Sequence, residues 1–266
     1  MKRRFDKMHG LGNDFVIVDA RKESFEVTPA LARAIADRRK GVGCDQLIVL
    51  EPSDAADLKM RIWNSDGGEV ESCGNAARCV VQLTGARRID SEGGLLEGRD
   101  LGADVEVSIG QPRFNWDEIP LAYAMDTAAL PMAWGGLQHP FAVNVGNPHL
   151  VFFVADAREV ELDELGPKIE HDPVFPDRIN VNVATYVHDR LKLRTFERGA
   201  GETLACGTGA CASAVAAIAT KRAESPVRVD MTGGSLSIEW APGEAIRMRG
   251  AATHVFSGEL KLEALQ

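Results

Sequence analysis

Apolar residues along the chain recur at spacing two or in short unbroken runs, the signature of half-buried and fully buried strands. In the first half such runs fall at 15–18, 47–50 and 60–63. In the second they fall at 150–154, 181–184 and 191–194, with later ones at 227–230, 235–240 and 245–249. Helical patterns are fewer. Thr28 followed by Pro29 reads as an N-cap and a first helical residue, predicting a helix to about residue 39. Two more helices are predicted at 74–83 and 207–220, the second rich in alanine. Each starts directly after a cysteine, Cys73 and Cys206. Helices set singly among strands predict an α+β architecture in which a sheet wraps a long helix.

The pattern repeats. Residues 61–77 lie over 194–210 at an offset of 133: Arg61 over Arg194, Trp63 over Phe196, Gly68-Glu69 over Gly201-Glu202, Cys73-Gly74 over Cys206-Gly207, and Ala77 over Ala210. Outside this block the offset is 134, which puts Gly12-Asn13 over Gly146-Asn147 and Gln46 over Asn180. The expectation is two pseudo-symmetric domains, each a mostly antiparallel sheet wrapped around a central helix, with the active site in the cleft between them. Residues 1–114 plus 253–266 would carry Cys73, and 115–252 would carry Cys206. The linker is expected at 111–117, where Pro112 and a polar run interrupt the strand pattern.

Composition narrows the function. The 266 residues include 30 basic and 39 acidic side chains, a net charge of −9. An acidic chain with no basic stripe argues against nucleic acid or an anionic membrane as partner. The longest apolar stretch, about eight residues at 212–219, is far below the roughly 20 needed to span a bilayer. The charged start, Lys2-Arg3-Arg4, is followed by no apolar segment, so a soluble cytoplasmic protein is expected. Five cysteines (Cys44, Cys73, Cys79, Cys206 and Cys211) form an odd set without C-x2-C spacing, which points away from a disulfide framework and from zinc. No metal site is expected, and Cys79 and Cys211 read as core residues.

Cys73 and Cys206 stand apart because each precedes a glycine at a strand-to-helix junction. The unpaired amides and positive dipole end of a helix favour an anion there, and so a larger thiolate fraction. Gly74 and Gly207 let the backbone approach a ligand closely. Two such junctions in a duplicated fold suit inversion of a stereocentre, where one group removes a proton and another returns one to the opposite face. Helix ends would also stabilise an α-carboxylate and the charge of a carbanionic transition state. No lysine stands in a recognisable pyridoxal-phosphate context, so no cofactor is expected.

The segments Met8-His9-Gly10-Leu11-Gly12-Asn13-Asp14-Phe15, Gly41-Val42-Gly43-Cys44-Asp45-Gln46, Asn64-Ser65-Asp66-Gly67, Cys73-Gly74-Asn75, Gly146-Asn147-Pro148-His149, Glu197-Arg198-Gly199-Ala200-Gly201-Glu202-Thr203 and Ala205-Cys206-Gly207-Thr208-Gly209 resemble the diaminopimelate epimerase family over essentially the whole chain. The resemblance implies interconversion of LL- and meso-2,6-diaminopimelate, on the route to lysine and peptidoglycan, by a cofactor-independent homodimer. It implies that Cys73 and Cys206 are the acid–base pair. It makes Asn13, Gln46, Asn64, Gly74, Asn75, Asn147, Asn180, Glu197, Arg198, Gly207 and Thr208 substrate contacts, with His149 and Glu197 tuning the cysteines. Amide side chains suit a zwitterionic ligand because they both donate and accept, and Arg198 suits a carboxylate.

The chain departs from the family at Ala76, where glycine is usual, and at Cys44, where phenylalanine is common. Phe256 stands in place of a tyrosine associated with dimer contacts. One rival is a proline or hydroxyproline racemase, which shares the second-half motif but fits the first half poorly. A phenazine-biosynthesis-like isomerase lacks the cysteine pair. A non-catalytic amino-acid-binding protein would have no use for twinned thiols.

Overall fold

The computed structural model describes residues 2–71 and 73–264; Ser72, inside the repeated block, and the chain ends at Met1, Leu265 and Gln266 lie outside the described residues. The chain divides into two units, Met1–Ser108 with Gly250–Gln266, and Ile109–Arg249. In chain order the first unit holds β1 (Lys2–Gly10), β2 (Asn13–Asp19), α1 (Pro29–Ala36), β3 (Gln46–Glu51), β4 (Leu58–Asn64), β5 (Glu69–Val70), α2 (Gly74–Thr84), β6 (Arg88–Ser91), β7 (Gly94–Asp100) and β8 (Val105–Gly110). The second opens with a hairpin of β9 (Ala133–Trp134) and β10 (Leu137–Gln138). It continues through β11 (Phe141–Asn144), β12 (Pro148–Phe153), α3 (Leu162–Glu170), β13 (Asn180–Val187), β14 (Arg190–Glu197), β15 (Gly201–Thr203), α4 (Gly207–Ala219), β16 (Val227–Met231), β17 (Gly234–Glu239) and β18 (Ile246–Gly250). The last strand, β19 (Thr253–Lys261), returns to the first unit and pairs antiparallel with β1.

The repeat read in the sequence is a repeat of strand pairing. In the first unit β1–β2 is antiparallel, β2–β3 parallel, β3–β4 and β4–β5 antiparallel, β4–β6 parallel, and β6–β7 and β7–β8 antiparallel. The second unit follows the same order and senses through β11–β12, β12–β13, β13–β14, β14–β15, β14–β16, β16–β17 and β17–β18. Register repeats too. Phe15 lies opposite Gln46 as His149 lies opposite Asn180, and Trp63 opposite Glu69 as Phe196 opposite Glu202. A parallel pair needs a crossover. The four helices are these crossovers: α1 between β2 and β3, α2 between β4 and β6, and α3 and α4 at the matching places.

Local chemistry fixes the helix ends. Thr28 Oγ1 accepts the Leu31 amide and Pro29 starts α1, as expected. The helix stops at Ala36 rather than near residue 39, because Asp37 leaves helical geometry and its carboxylate takes the Arg39 and Lys40 amides. Gly85 ends α2 in the left-handed region, at φ 70. Helix α3 is not anticipated by the sequence pattern, since Pro167 sits inside it. It forms because Leu162 and Ile169 are buried against β13 and β14. The stretch expected as a linker belongs to the second unit's body: Arg113 bridges to Asn144, and Gln111 Nε2 donates to Gly243 O at 2.9 Å. Among the described residues no helix is long and apolar enough to cross a membrane.

Both faces of each sheet are covered. Val16, Val18, Leu47 and Val49 pack with Ala32, Ile35 and Ala36 of α1. The alternating positions Phe15, Ile17, Ile48, Leu50 and Ile62 are buried on the opposite face. In the second unit Leu150, Phe152, Val181 and Val183 pack with Leu162 and Ile169 of α3. On the other face lies α4, buried from Gly209 to Ala217 and apolar there apart from Ser213, as suits a central helix. Phe152 is 2% exposed and edge-on to Trp134. Phe152→Ala is expected to destabilise the protein by about 3–5 kcal/mol, read as a lower urea midpoint at unchanged slope.

Candidate active site

Cys73 is the N-cap residue of α2, in extended geometry (φ −150, ψ 111), and its carbonyl accepts the Ala77 amide at 2.9 Å. The first amides of a helix have no helical acceptor, so Gly74 and Asn75 present donors beside the thiol. The Cys73 Sγ donates to Asn13 Oδ1 over 3.8 Å, and Asn75 Nδ2 donates to the same oxygen at 3.2 Å. The other end of the Asn13 amide is fixed: its Nδ2 donates to Asp45 Oδ2 at 3.0 Å. Asp45 in turn accepts the Asp14 amide and the Arg38 guanidinium. Arg38 and Lys7 converge on Asp14; although burial alone would raise its pKa, their hydrogen bonds outweigh that and hold the carboxyl well below the usual range. Arg78, fully buried, donates to Asn75 Oδ1 at 2.9 Å. Gln46 and Asn64 face each other across β3 and β4, with Gln46 Nε2 donating to Asn64 Oδ1 at 2.8 Å. Gln46 Oε1 is buried and accepts no hydrogen bond among the described residues, which suits a ligand donor such as an ammonium group.

Cys206 caps α4 in the same way, but its Sγ accepts the Gly209 amide at 3.3 Å and lies 3.5 Å from Thr208 Oγ1. The helix end alone predicts a lowered thiol pKa. The structure reverses this: burial, at 4% exposure, and the Glu197 carboxylate raise it well above the ordinary value, outweighing the Thr208 and Gly209 donors. Glu197 is held by Thr203, whose hydroxyl donates to Oε1 at 2.5 Å. Asn180 Oδ1 accepts the Arg198 amide at 3.0 Å and its Nδ2 donates to Pro148 O. The Arg198 guanidinium is exposed and donates to Asp177 O at 2.9 Å; no carboxylate among the described residues pairs with it.

His149 is fully buried between two amides. Asn147 Oδ1 lies 2.8 Å from its Nε2, and Asn182 Nδ2 lies 3.0 Å from its Nδ1. Burial first, and the charge of Arg198 second, push its pKa down to about 3, so the ring is neutral at physiological pH. The groups acting on Cys206 are Glu197, Thr208 and Gly209. Cys44 and Cys79 are pushed up by burial to about 11 and about 12, as inert core thiols are, and Cys211 is fully buried.

Within the first unit the fold gathers Cys73, Gly74, Asn75 and Asn13, and pairs Gln46 with Asn64. Within the second it gathers Cys206, Gly207, Thr208 and Glu197, pairs Asn147 with His149, and joins Asn180 to Arg198. Sequence reasoning missed Asp45, Asp14 and Arg38, which hold Asn13, and Asn182 with Thr195, which hold His149. Asp14 and Asp45 stand inside the segments that resemble the family, next to Asn13 and Gln46. Asn182 carries a weaker signal, a polar residue in the middle of an apolar strand. Glu197→Gln is expected to lower the Cys206 pKa by removing a negative charge beside the thiolate. Alkylation of Cys206 at fixed neutral pH then speeds up in proportion to the thiolate fraction, about tenfold if the pKa falls by one. Burial still keeps the thiol above its ordinary value. An unchanged or slower rate contradicts the assignment.

The family described as diaminopimelate epimerase matches residues 5–114 and 141–255. A diaminopimelate epimerase of Rhizorhabdus wittichii is 62% identical, over 99% of this chain and 97% of its own length. One from Zymomonas mobilis is 52% identical, over 96% of each chain. Among solved structures, a phenazine biosynthesis protein of the PhzF family from Bacillus anthracis shares the fold at TM-score 0.65 and 15% identity, covering 98% of this chain and 99% of that one. A hydroxyproline epimerase from Agrobacterium vitis shares it at TM-score 0.66 and 14% identity, covering 97% and 91%. With the matched cysteine-capped helices in place in both units, this chain belongs to the diaminopimelate epimerase family.

Proposed function

We propose that the protein interconverts LL- and meso-2,6-diaminopimelate by moving one α-proton between two cysteines, without a cofactor. The observation that carries this reading is the pair of matched cysteines, each capping the helix that follows the same strand pair in one of two repeated units. One cysteine, as thiolate, takes the α-proton and becomes a thiol. The other, as thiol, gives its proton to the carbanion and becomes a thiolate. Solvent exchange resets the pair, which titrates as a coupled unit.

The first-turn amides of α2 and α4 are placed to receive anionic charge on the substrate carboxylate and the developing carbanion. Without ligand, burial and the Glu197 carboxylate hold the Cys206 thiol protonated, while Cys73 lies within hydrogen-bond reach of Asn13. A substrate ammonium group beside Glu197 offsets the repulsion that keeps Cys206 protonated, so the base forms in the complex. Arg198 pairs with a substrate carboxylate, and Gln46 Oε1 accepts from an ammonium group. The protein is assigned to the cytoplasm and to a homodimer; exposed Val255 and Phe256 on β19 are compatible with a subunit contact.

In heavy water without added cofactor, LL-diaminopimelate is expected to gain α-deuterium and yield the meso isomer. Cys73→Ala and Cys206→Ala each lose at least about a hundredfold in turnover, the lower end of what a positioned acid or base contributes. Cys44→Ala and Cys79→Ala keep most activity. Exchange on proline but not on diaminopimelate contradicts the substrate, and binding without exchange contradicts the reaction.

A further inference from the structure

The repeat breaks at one buried spot. Against Gly209 in the first turn of α4 lie the side chains of Asn182 and Thr195, and Asn182 bonds His149; all three are at most 3% exposed. At the same register positions the first unit carries Phe15, Ile48 and Ile62, also buried. An apolar trio therefore suffices to fill this place in the fold. The polar trio of the second unit is not required for packing, and buried polar groups persist only when every hydrogen bond is placed.

Here the bonds form a chain with one direction. Thr195 Oγ1 donates to Asn182 Oδ1 at 2.9 Å. The Asn182 amide is thereby fixed, and its Nδ2 donates to Leu150 O and to His149 Nδ1. His149 is then an acceptor at Nδ1 and carries its proton on Nε2, which donates to Asn147 Oδ1. The Asn147 oxygen is taken, and its half-exposed NH2 makes no hydrogen bond among the described residues.

The twin of Asn147 is Asn13, at the same place in the repeated Gly-Asn pair, and it is held by the other end. Asp45 takes its NH2, so its oxygen faces Cys73 and Asn75. We propose that the buried Thr195–Asn182–His149 chain is a positioning device that turns the Asn147 amide so that it donates to a substrate carboxylate, while Asp45 turns the equivalent Asn13 so that it accepts. A duplicated half-site thus becomes polar in opposite senses, as a zwitterion requires. His149 acts through Asn147 and not as a titrating partner of a cysteine. The inference rests on the epimerase reading for the identity of the carboxylate, and on the structure alone for the tautomer of His149.

Two measurements test it. Nitrogen NMR of the unaltered, histidine-labelled protein at neutral pH is expected to show His149 neutral with its proton on Nε2. A proton on Nδ1, or a charged ring, overturns the proposal whatever the enzyme turns over. Kinetics with LL-diaminopimelate supply the second measurement. Asn147→Asp keeps the oxygen that His149 needs and replaces only the NH2. It is expected to raise KM about tenfold or more with little change in kcat, as loss of a hydrogen bond to a charged group in uniform binding does, and at least as much as Asn147→Ala. His149→Phe, the residue of the twin unit, also raises KM, and combined with Asn147→Ala adds nothing further. A tolerated Asn147→Asp overturns the proposal. So do additive effects of His149→Phe, or a shifted pH profile of kcat, which would place His149 in the proton transfer itself. Absence of turnover by the unaltered protein defeats the proposed reaction and leaves the NMR result to decide the orientation.

Discussion

A helix that starts on the residue after a cysteine, at the end of a strand pair, is the constraint on which both half-sites depend. The crossover from β4 to β6 must pass through α2, and that from β14 to β16 through α4. Each crossover aims unpaired backbone amides at the point where the chain leaves the sheet. A cysteine at that point has an anion-favouring end beside it, and the glycine after it leaves that end open. The sheet fixes where the thiol is; the first helical turn fixes what can approach it.

The same junction gives opposite settings in the two units. Cys73 donates to an asparagine oxygen, whereas Cys206 accepts a backbone amide and lies beside a carboxylate. Part of the difference comes from residues in equivalent positions: Asn64 stands at the end of β4 where Glu197 stands at the end of β14. The rest comes from residues that are not equivalent, since Asp45 holds Asn13 whereas His149, at the register position of Phe15, holds Asn147. Duplication supplied two similar cradles, and substitution of a few buried or half-buried side chains gave each its own polarity. A reaction that takes a proton from one face and returns it to the other needs this inequality at any instant, because acid and base cannot be in the same state.

The repeat, the two cysteine-capped helices and the family were legible because they depend on local patterns: Cys-Gly after a strand, Gly-Asn pairs, alanine-rich periodicity. Three things were not. Helix α3 carries Gly166-Pro167, a pair unfavourable inside a helix, and only the burial of Leu162 and Ile169 in the fold accounts for it. The thiol of Cys206 was expected to be acidified by its helix; burial acts through tertiary packing that no local pattern reveals, and although the family motif marks Glu197 as a tuning residue, only its place beside the thiol shows that it raises the pKa. The supporting shell of Asp14, Asp45, Asn182 and Thr195 was missed because each reads alone as a turn residue or an isolated polar residue in a strand, and only strand register brings it into the network that holds its asparagine.

That base and acid are different groups can be read from deuterium in product and in recovered substrate during the first few per cent of conversion of LL-diaminopimelate in heavy water. Two separate cysteines predict deuterium in the meso product from the start and little in the recovered LL substrate, because the thiol that protonates the far face is already exchanged with solvent. Equal labelling of product and recovered substrate at early times would mean that a single group serves both faces, and would overturn the two-cysteine mechanism.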